Sequence, residues 1–311
     1  MRFFFIAAAE TRYIEEVFRA VSELNDKLSK ERRLSIGVLI RFSKWKRVCL
    51  PCKLAEKYNT PLFVDNGAFT YLSASALEQE YLDEHVIKKW LADYSRWINT
   101  WHNYVTVAAM PDVPVHGREF LPRSLRAHRI WFTAQLHKLF AKMVRQALHK
   151  MIVVLQGYTL REYYDSLRLH MENYDVLGET LSFNPDKDPY GGVFGVGSVC
   201  VRKPSSKGKT ALLADGKAAG TLRDFMKEFL GFQWPGGLNG FHFFGLHTEA
   251  VRMFSTHPLY YASDTGAHGL NFRYKWRTQL GCQRLDAECY RRSVENQIRL
   301  SLSPYLSQPL L

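Results

Sequence analysis

The chain has 311 residues, 46% of them hydrophobic and 23% charged, with Phe, Trp and Tyr together at 14%. That composition excludes a disordered chain and supplies ample material for one large core, so a single domain of barrel size is as compatible with it as two domains. The formal net charge of +12 favours a polyanionic partner over a neutral one, and the aromatic residues that recur beside the basic ones favour nucleic acid over an anionic surface.

The first apolar run, Phe3–Ala8, has a shallow likeness to a signal peptide, but it is short and Glu10 follows directly. It reads as a buried first strand. Further strands are predicted at Leu34–Ile40, Leu62–Val64, Tyr104–Ala109, Ile152–Leu155, Gly192–Val196, Phe241–Gly245 and Leu259–Ala262. They are brief, rich in Val, Ile, Phe and Tyr, and not strictly alternating, the pattern of parallel strands buried on both faces. Helices are predicted between them at Glu10–Ser29, Leu77–Thr100, Pro122–Lys150, Thr159–Asn173, Leu222–Leu230 and Thr248–Phe254. Their apolar residues recur at three and four, as at Tyr81, Val86, Trp90, Leu91, Tyr94 and Trp97. Strands alternating with helices in this way predict an α/β fold, a (β/α)8 barrel of one domain over residues 1–311. A doubly wound sheet would carry a Gly-rich loop after the first strand, where this chain has Ala7-Ala8-Ala9-Glu10. Residues 202–221 begin RKPSSKGK and read as a basic loop insertion, and 301–311 as a loosely packed tail. No apolar run approaches the ~18 residues of a spanning helix, so a soluble, cytoplasmic protein with no membrane partner is expected.

In a barrel, chemistry sits at the C-terminal ends of the strands. There stand Asp65 after the third strand, Asp112 after the fourth, Gln156 after the fifth, Gly195-Val196-Gly197 at the sixth, His247 after the seventh and Asp264 at the eighth. Each has a plain reading: an Asp as helix cap or turn former, a Gly as turn, a Gln satisfying backbone. Jointly they suit glycosyl transfer to or from a purine. Two carboxylates attack the anomeric carbon and handle protons, while a third carboxylate, an amide and glycine backbone read a base edge.

The order of these motifs resembles the tRNA-guanine transglycosylase superfamily, and most closely its DNA-acting branch, the DNA 7-deazaguanine transglycosylases. Phe63-Val64-Asp65-Asn66-Gly67-Ala68-Phe69 resembles the family's Asp-Ser-Gly-Gly/Ala-Phe motif, and Met110-Pro111-Asp112-Val113-Pro114 its base-recognition segment. Val154-Leu155-Gln156-Gly157 resembles its Val-Gln-Gly motif, and Gly191–Gly197 its Gly-rich strand. Phe243–His247 resembles the segment before the nucleophile strand, and Tyr260–Thr265 the nucleophile strand itself. The likeness runs collinearly from about residue 60 to about residue 270. It implies Asp264 as covalent nucleophile and Asp65 as general acid/base. It implies a base-binding set of Asp112, Gln156, Gly157, Gly195, Val196, Gly197, Phe69 and His247. The implied reaction is exchange of guanine in DNA for a free 7-deazaguanine (preQ0-like) base.

Three departures refine this expectation. Asn66 replaces a Ser, the Met-Pro-Thr-Arg run after the nucleophile is missing, and the Cys-x-Cys-x-x-Cys…His zinc pattern of the tRNA enzymes is absent. DNA is therefore expected as substrate rather than tRNA, with no cofactor and no metal. The alternatives are a tRNA-guanine transglycosylase, a hydrolytic nucleosidase or glycosidase, and a catalytically dead DNA-binding barrel. Zinc is a candidate only if Cys49 and Cys52 meet Cys282 and Cys289. Five irregularly spaced cysteines are otherwise expected to be reduced. Phosphate contacts are expected at Lys44, Lys46, Arg47, Lys53, Arg202, Lys203, Arg273, Lys275 and Arg277, where Trp45, Tyr274 and Trp276 are interleaved. A helper protein that opens the duplex is a candidate partner.

Overall fold

The computed structural model describes residues 2–8, 11–28, 34–45, 49–72, 74–77, 79, 81–116, 120–181, 190–199, 221–265 and 280–306. Eight parallel strands close into a barrel in sequence order, each paired with its neighbours and β1 with β8. They are β1 (Phe3–Ala7), β2 (Ser35–Arg41), β3 (Leu62–Asp65), β4 (Val107–Ala109), β5 (Met151–Leu155), β6 (Val193–Val196), β7 (Gly240–Phe243) and β8 (Tyr260–Thr265). The helices are α1 (Ile14–Lys27), α2 (Leu50–Lys57), the one-turn α3 (Ala68–Tyr71) and α4 (Ala74–Leu77), α5 (Glu84–Trp101), α6 (Arg123–Met143), α7 (Leu160–Met171), α8 (Tyr174–Leu181), α9 (Leu222–Gly231), α10 (Thr248–Phe254), α11 (Ala287–Ser301) and α12 (Ser303–Leu306). The predicted (β/α)8 barrel is thus the observed fold. None of the helices among the described residues is long and apolar enough to cross a membrane.

Two apolar layers hold the barrel. Outward strand residues such as Phe4, Ile36, Val64 and Val153 pack beneath the helices, while Phe5, Phe63, Val107, Ile152, Val154, Tyr190 and Tyr261 fill the interior. Aromatics dominate that inner layer, with Phe5 and Phe63 edge to face at 5.3 Å and Tyr190 and Tyr261 likewise at 5.3 Å. Rings this large need space opposite. Gly37 on β2 provides it, since a Cβ there would stand 2.5 Å from the Phe5 ring. Burial of each such ring stabilises the fold by roughly 1.5–3 kcal/mol.

Several predicted boundaries are corrected. The segment read as a strand from Tyr104 begins as a 3-10 turn, His102–Tyr104, and pairs only from Val107. The tail from Ser301 is not loose as far as residue 306: Leu302 is buried and the Tyr305 hydroxyl donates to the Ser255 carbonyl at 2.5 Å. The cysteines are not all reduced. Cys49 is linked to Cys52, and Cys282 to Cys289. Cys49 caps α2 and Cys52 lies in its first turn, so positions three apart face each other, with Cα atoms 5.2 Å apart. Cys289 sits likewise in the first turn of α11, its Cα 5.7 Å from that of Cys282. The expected insertion lies outside the described residues except for Thr221, which caps α9.

Candidate active site

The C-terminal ends of β3, β4, β5 and β6 bring polar residues into one buried cluster on the barrel rim. Its centre is Asp112, 9% exposed. One carboxylate oxygen accepts from the Asn66 amide and the other from the Gln156 amide. Ser198 in turn donates its hydroxyl to Gln156 Oε1 at 2.6 Å. Asn66 also donates to the Met110 carbonyl at 2.8 Å and accepts from the Ala68 N–H. Burial pushes the Asp112 carboxyl up to about 7; the Asn66 and Gln156 hydrogen bonds oppose the rise and the nearby Asp65 charge adds to it.

Helices clamp this cluster from outside the barrel. From α5, the Trp90 indole donates to the Asn66 carbonyl and the Tyr94 hydroxyl to the Ala109 carbonyl, both at 2.8 Å. From α6, Thr133 Oγ1 accepts from the Val113 N–H. Glu162 of α7 holds the loop after β5 by accepting from the Tyr158 N–H at 2.7 Å, and it is itself fixed by a buried pair with Arg126.

Asp65 and Asp264 complete the rim. Asp65 keeps about a third of its side chain open to solvent, at 32%, and pairs with Arg41 at 3.5 Å. Burial raises its carboxyl above the usual range, Arg41 and the Gly67 N–H pull it back, and the Asp264 charge adds to the rise. The two carboxylates are therefore close enough to sense each other. Asp264 Oδ1 accepts from the Gly245 N–H at 3.1 Å and faces His242 Nε2 at 3.2 Å. The His242 ring is fully buried between Phe63 and Phe244, at 4.6 and 4.7 Å. Burial depresses its basicity, partly offset by Asp264. An Nε2–H imidazole and a backbone N–H thus fix one oxygen of Asp264.

No protein-family model matches this chain, and no curated protein sequence matches it.

Asp65, Asp112, Gln156 and Asp264 do stand on one rim, as expected from the sequence. Gly197 has its N–H committed to the Leu155 carbonyl and its carbonyl to the Tyr163 hydroxyl, so its N–H is not free to read a base. Its lack of a side chain is what the site uses: a Cβ there would lie 2.2 Å from Gln156 Nε2. Gly195 faces the Phe244 ring and Gly157 faces Tyr163, both packing roles, and Val196 is a buried strand residue whose carbonyl accepts from Phe244. His247 is exposed and caps α10, Nδ1 accepting from the Glu249 N–H at 3.4 Å, so its ring serves the helix end. Phe69 lies on α3, its side chain outside the described residues.

Lys44 and Lys53 are exposed near the rim end of β2 and α2. Lys46, Arg47, Arg202, Lys203, Arg273, Lys275 and Arg277 lie outside the described residues. Among the described residues no three His, Cys, Asp or Glu gather as metal ligands, so the two cysteine pairs do not join into one site.

Sequence reasoning did not single out Asn66, Ser198, Arg41 or His242 as site residues. Their signals were weak: two neighbours of motif residues, a cation closing a strand, and a histidine among phenylalanines. Ser198 carries one further sign, a positive φ of 58° in a non-glycine residue. A cavity of about 880 Å³ opens at the opposite end of the barrel, lined by Asn25, Ser35 and Thr106 among others. The Asn25 amide is spent on the Ile36 backbone and Thr106 on the Leu62 N–H.

Proposed function

We propose that the protein is a DNA-guanine transglycosylase, exchanging guanine for a 7-deazaguanine base through a covalent Asp264 glycosyl intermediate. The observation that carries this reading is the convergence of Asp65, Asp112 and Asp264 from three strands, with the Gln156–Ser198 relay beside them. A flipped nucleotide places its base against Asp112 and Gln156. An Asp264 oxygen attacks C1′, the C1′–N9 bond breaks, and its electron pair leaves with guanine, which takes up a proton. Asp65, its carboxyl raised above the usual range by burial, is the group proposed to pass that proton. It then takes the N9 proton of the incoming base, whose N9 attacks C1′ and releases Asp264. Two inversions give net retention, and one glycosidic bond replaces another without redox chemistry or nucleotide energy.

The test is to incubate DNA with the protein and labelled guanine or a 7-deazaguanine base, then analyse the nucleosides. Incorporation without free sugar ends supports exchange. Sugar ends without incorporation would mark a hydrolase, and incorporation into tRNA alone would move the substrate to tRNA. Unchanged DNA that still binds would leave a binding protein.

A further inference from the structure

The outward face of α6 is basic, aromatic and without acid. No Asp or Glu occurs from Arg123 to Lys150. The helix is 21 residues long, about 31 Å at 1.5 Å per residue. Its outer stripe runs through Ser124, His128, Trp131, Gln135, Lys138 and Lys142 at three- and four-residue spacing. Trp131 is 48% exposed, its ring 5.9 Å from that of His128. Lys138, Lys142, Arg123 and the following Arg145 meet no carboxylate among the described residues. Most carboxylates of the flanking helices are already paired. On α5, Glu84 pairs with Lys88, and Asp93 with Lys89 and Arg96. On α7, Glu162 pairs with Arg126 and Asp165 with Arg161, Glu172 just beyond it pairs with Arg168, and α8 carries Asp175 and Glu179.

Resting on the function proposed above, we infer that this face binds an unpaired stretch of DNA leading away from the rim. Unpaired cations neutralise phosphates, and an exposed indole stacks on a base that has left its duplex. Arg123 opens the helix at the rim end, so the stripe begins beside the Asp112 loop and descends the barrel wall.

The experiment is fluorescence anisotropy with a labelled single-stranded oligodeoxynucleotide across a salt series. Trp131→Ala should weaken binding about tenfold, the loss of one stacked base. Lys138→Gln with Lys142→Gln should flatten the slope of log K against log salt by about 1.4, two phosphates at ~0.7 each. The corresponding Lys→Arg pair should restore it. The control is Lys227→Gln with Arg252→Gln, which removes equal charge from α9 and α10. A control pair as weak as the α6 pair, or α6 variants that bind like the wild type, would overturn the inference. Tighter, equally α6-dependent binding of the same sequence as RNA would overturn its assignment to DNA. A wild type that exchanges bases while α6 variants bind normally sinks this inference alone; a wild type that binds no DNA removes the functional reading itself.

Discussion

On the proposed mechanism, Asp264 and Asp65 do the chemistry at the rim and His242 supports it. Asp264 is held by two donors on one oxygen, and the proposed attack falls to the other. Asn has nearly the same shape but is a far poorer nucleophile. Asp264→Asn is therefore expected to fold and bind DNA while losing exchange by on the order of 10⁴-fold or more. Wild type trapped with DNA and no incoming base should give a denaturation-resistant adduct that Asp264→Asn lacks. Asp65→Asn should lose roughly 10²–10⁴-fold, a defect of proton transfer. An adduct mapping to Asp65 would reverse these roles. In that proposal His242 acts through Asp264, which it faces at 3.2 Å. His242→Gln retains a donor toward the carboxylate and should keep much of kcat, whereas His242→Phe fills the same aromatic slot without one and should lower kcat with KM little changed. Equal kcat values for the two variants would show that the imidazole only fills space.

At the scale of the element, α6 and α7 meet through a buried histidine pair behind the site. His137 and His170 stack at 4.6 Å, neither ring nitrogen making a well-formed hydrogen bond. Burial holds His170 down to about 3 and His137 well below its ordinary value, the carbonyls of Val154 and Pro111 offsetting a little of this. Both pKa values are depressed in the folded state, so their contribution to stability is complete above about pH 6.5, the unfolded value. It is lost as pH falls from there toward 3. Chemical denaturation at stepped pH should show this acid limb in the wild type, and His170→Phe should flatten it. An unchanged limb would place the sensitivity elsewhere. The same scale explains what the sequence concealed. The buried stripe of α11 includes Ser293, Gln297 and Ser301 beside Tyr290, Val294 and Ile298, so its apolar periodicity is diluted and no helix was predicted there. Tyr104 and Val105 look like strand residues but lie before the ladder, because β4 pairs with β3 only from Val107.

For the whole molecule, the decisive quantity is charge. With a net +12, DNA affinity should fall steeply with salt. Six or more phosphate contacts would cost roughly 10³-fold or more between about 50 and 200 mM salt. A titration nearly independent of salt would contradict phosphate binding as the source of affinity.

The sequence alone determined that short apolar strands alternate with amphipathic helices, because burial on both strand faces and on one helix face leaves a local periodic imprint. It also determined which strand ends carry carboxylates, since those residues follow the strands directly. Tertiary structure alone decided who partners whom. Asn66 meets Asp112 across 46 positions and Gln156 meets it across 44, while His242 reaches Asp264 across 22. Such pairs depend on how the strands stagger and close, which no local pattern records. The same holds for His247, which the seventh strand's end leaves exposed as a helix cap while His242, inside that strand, is turned onto Asp264. A strand's alternation shows that neighbouring side chains part, but only the closed barrel determines which of them faces the chemistry.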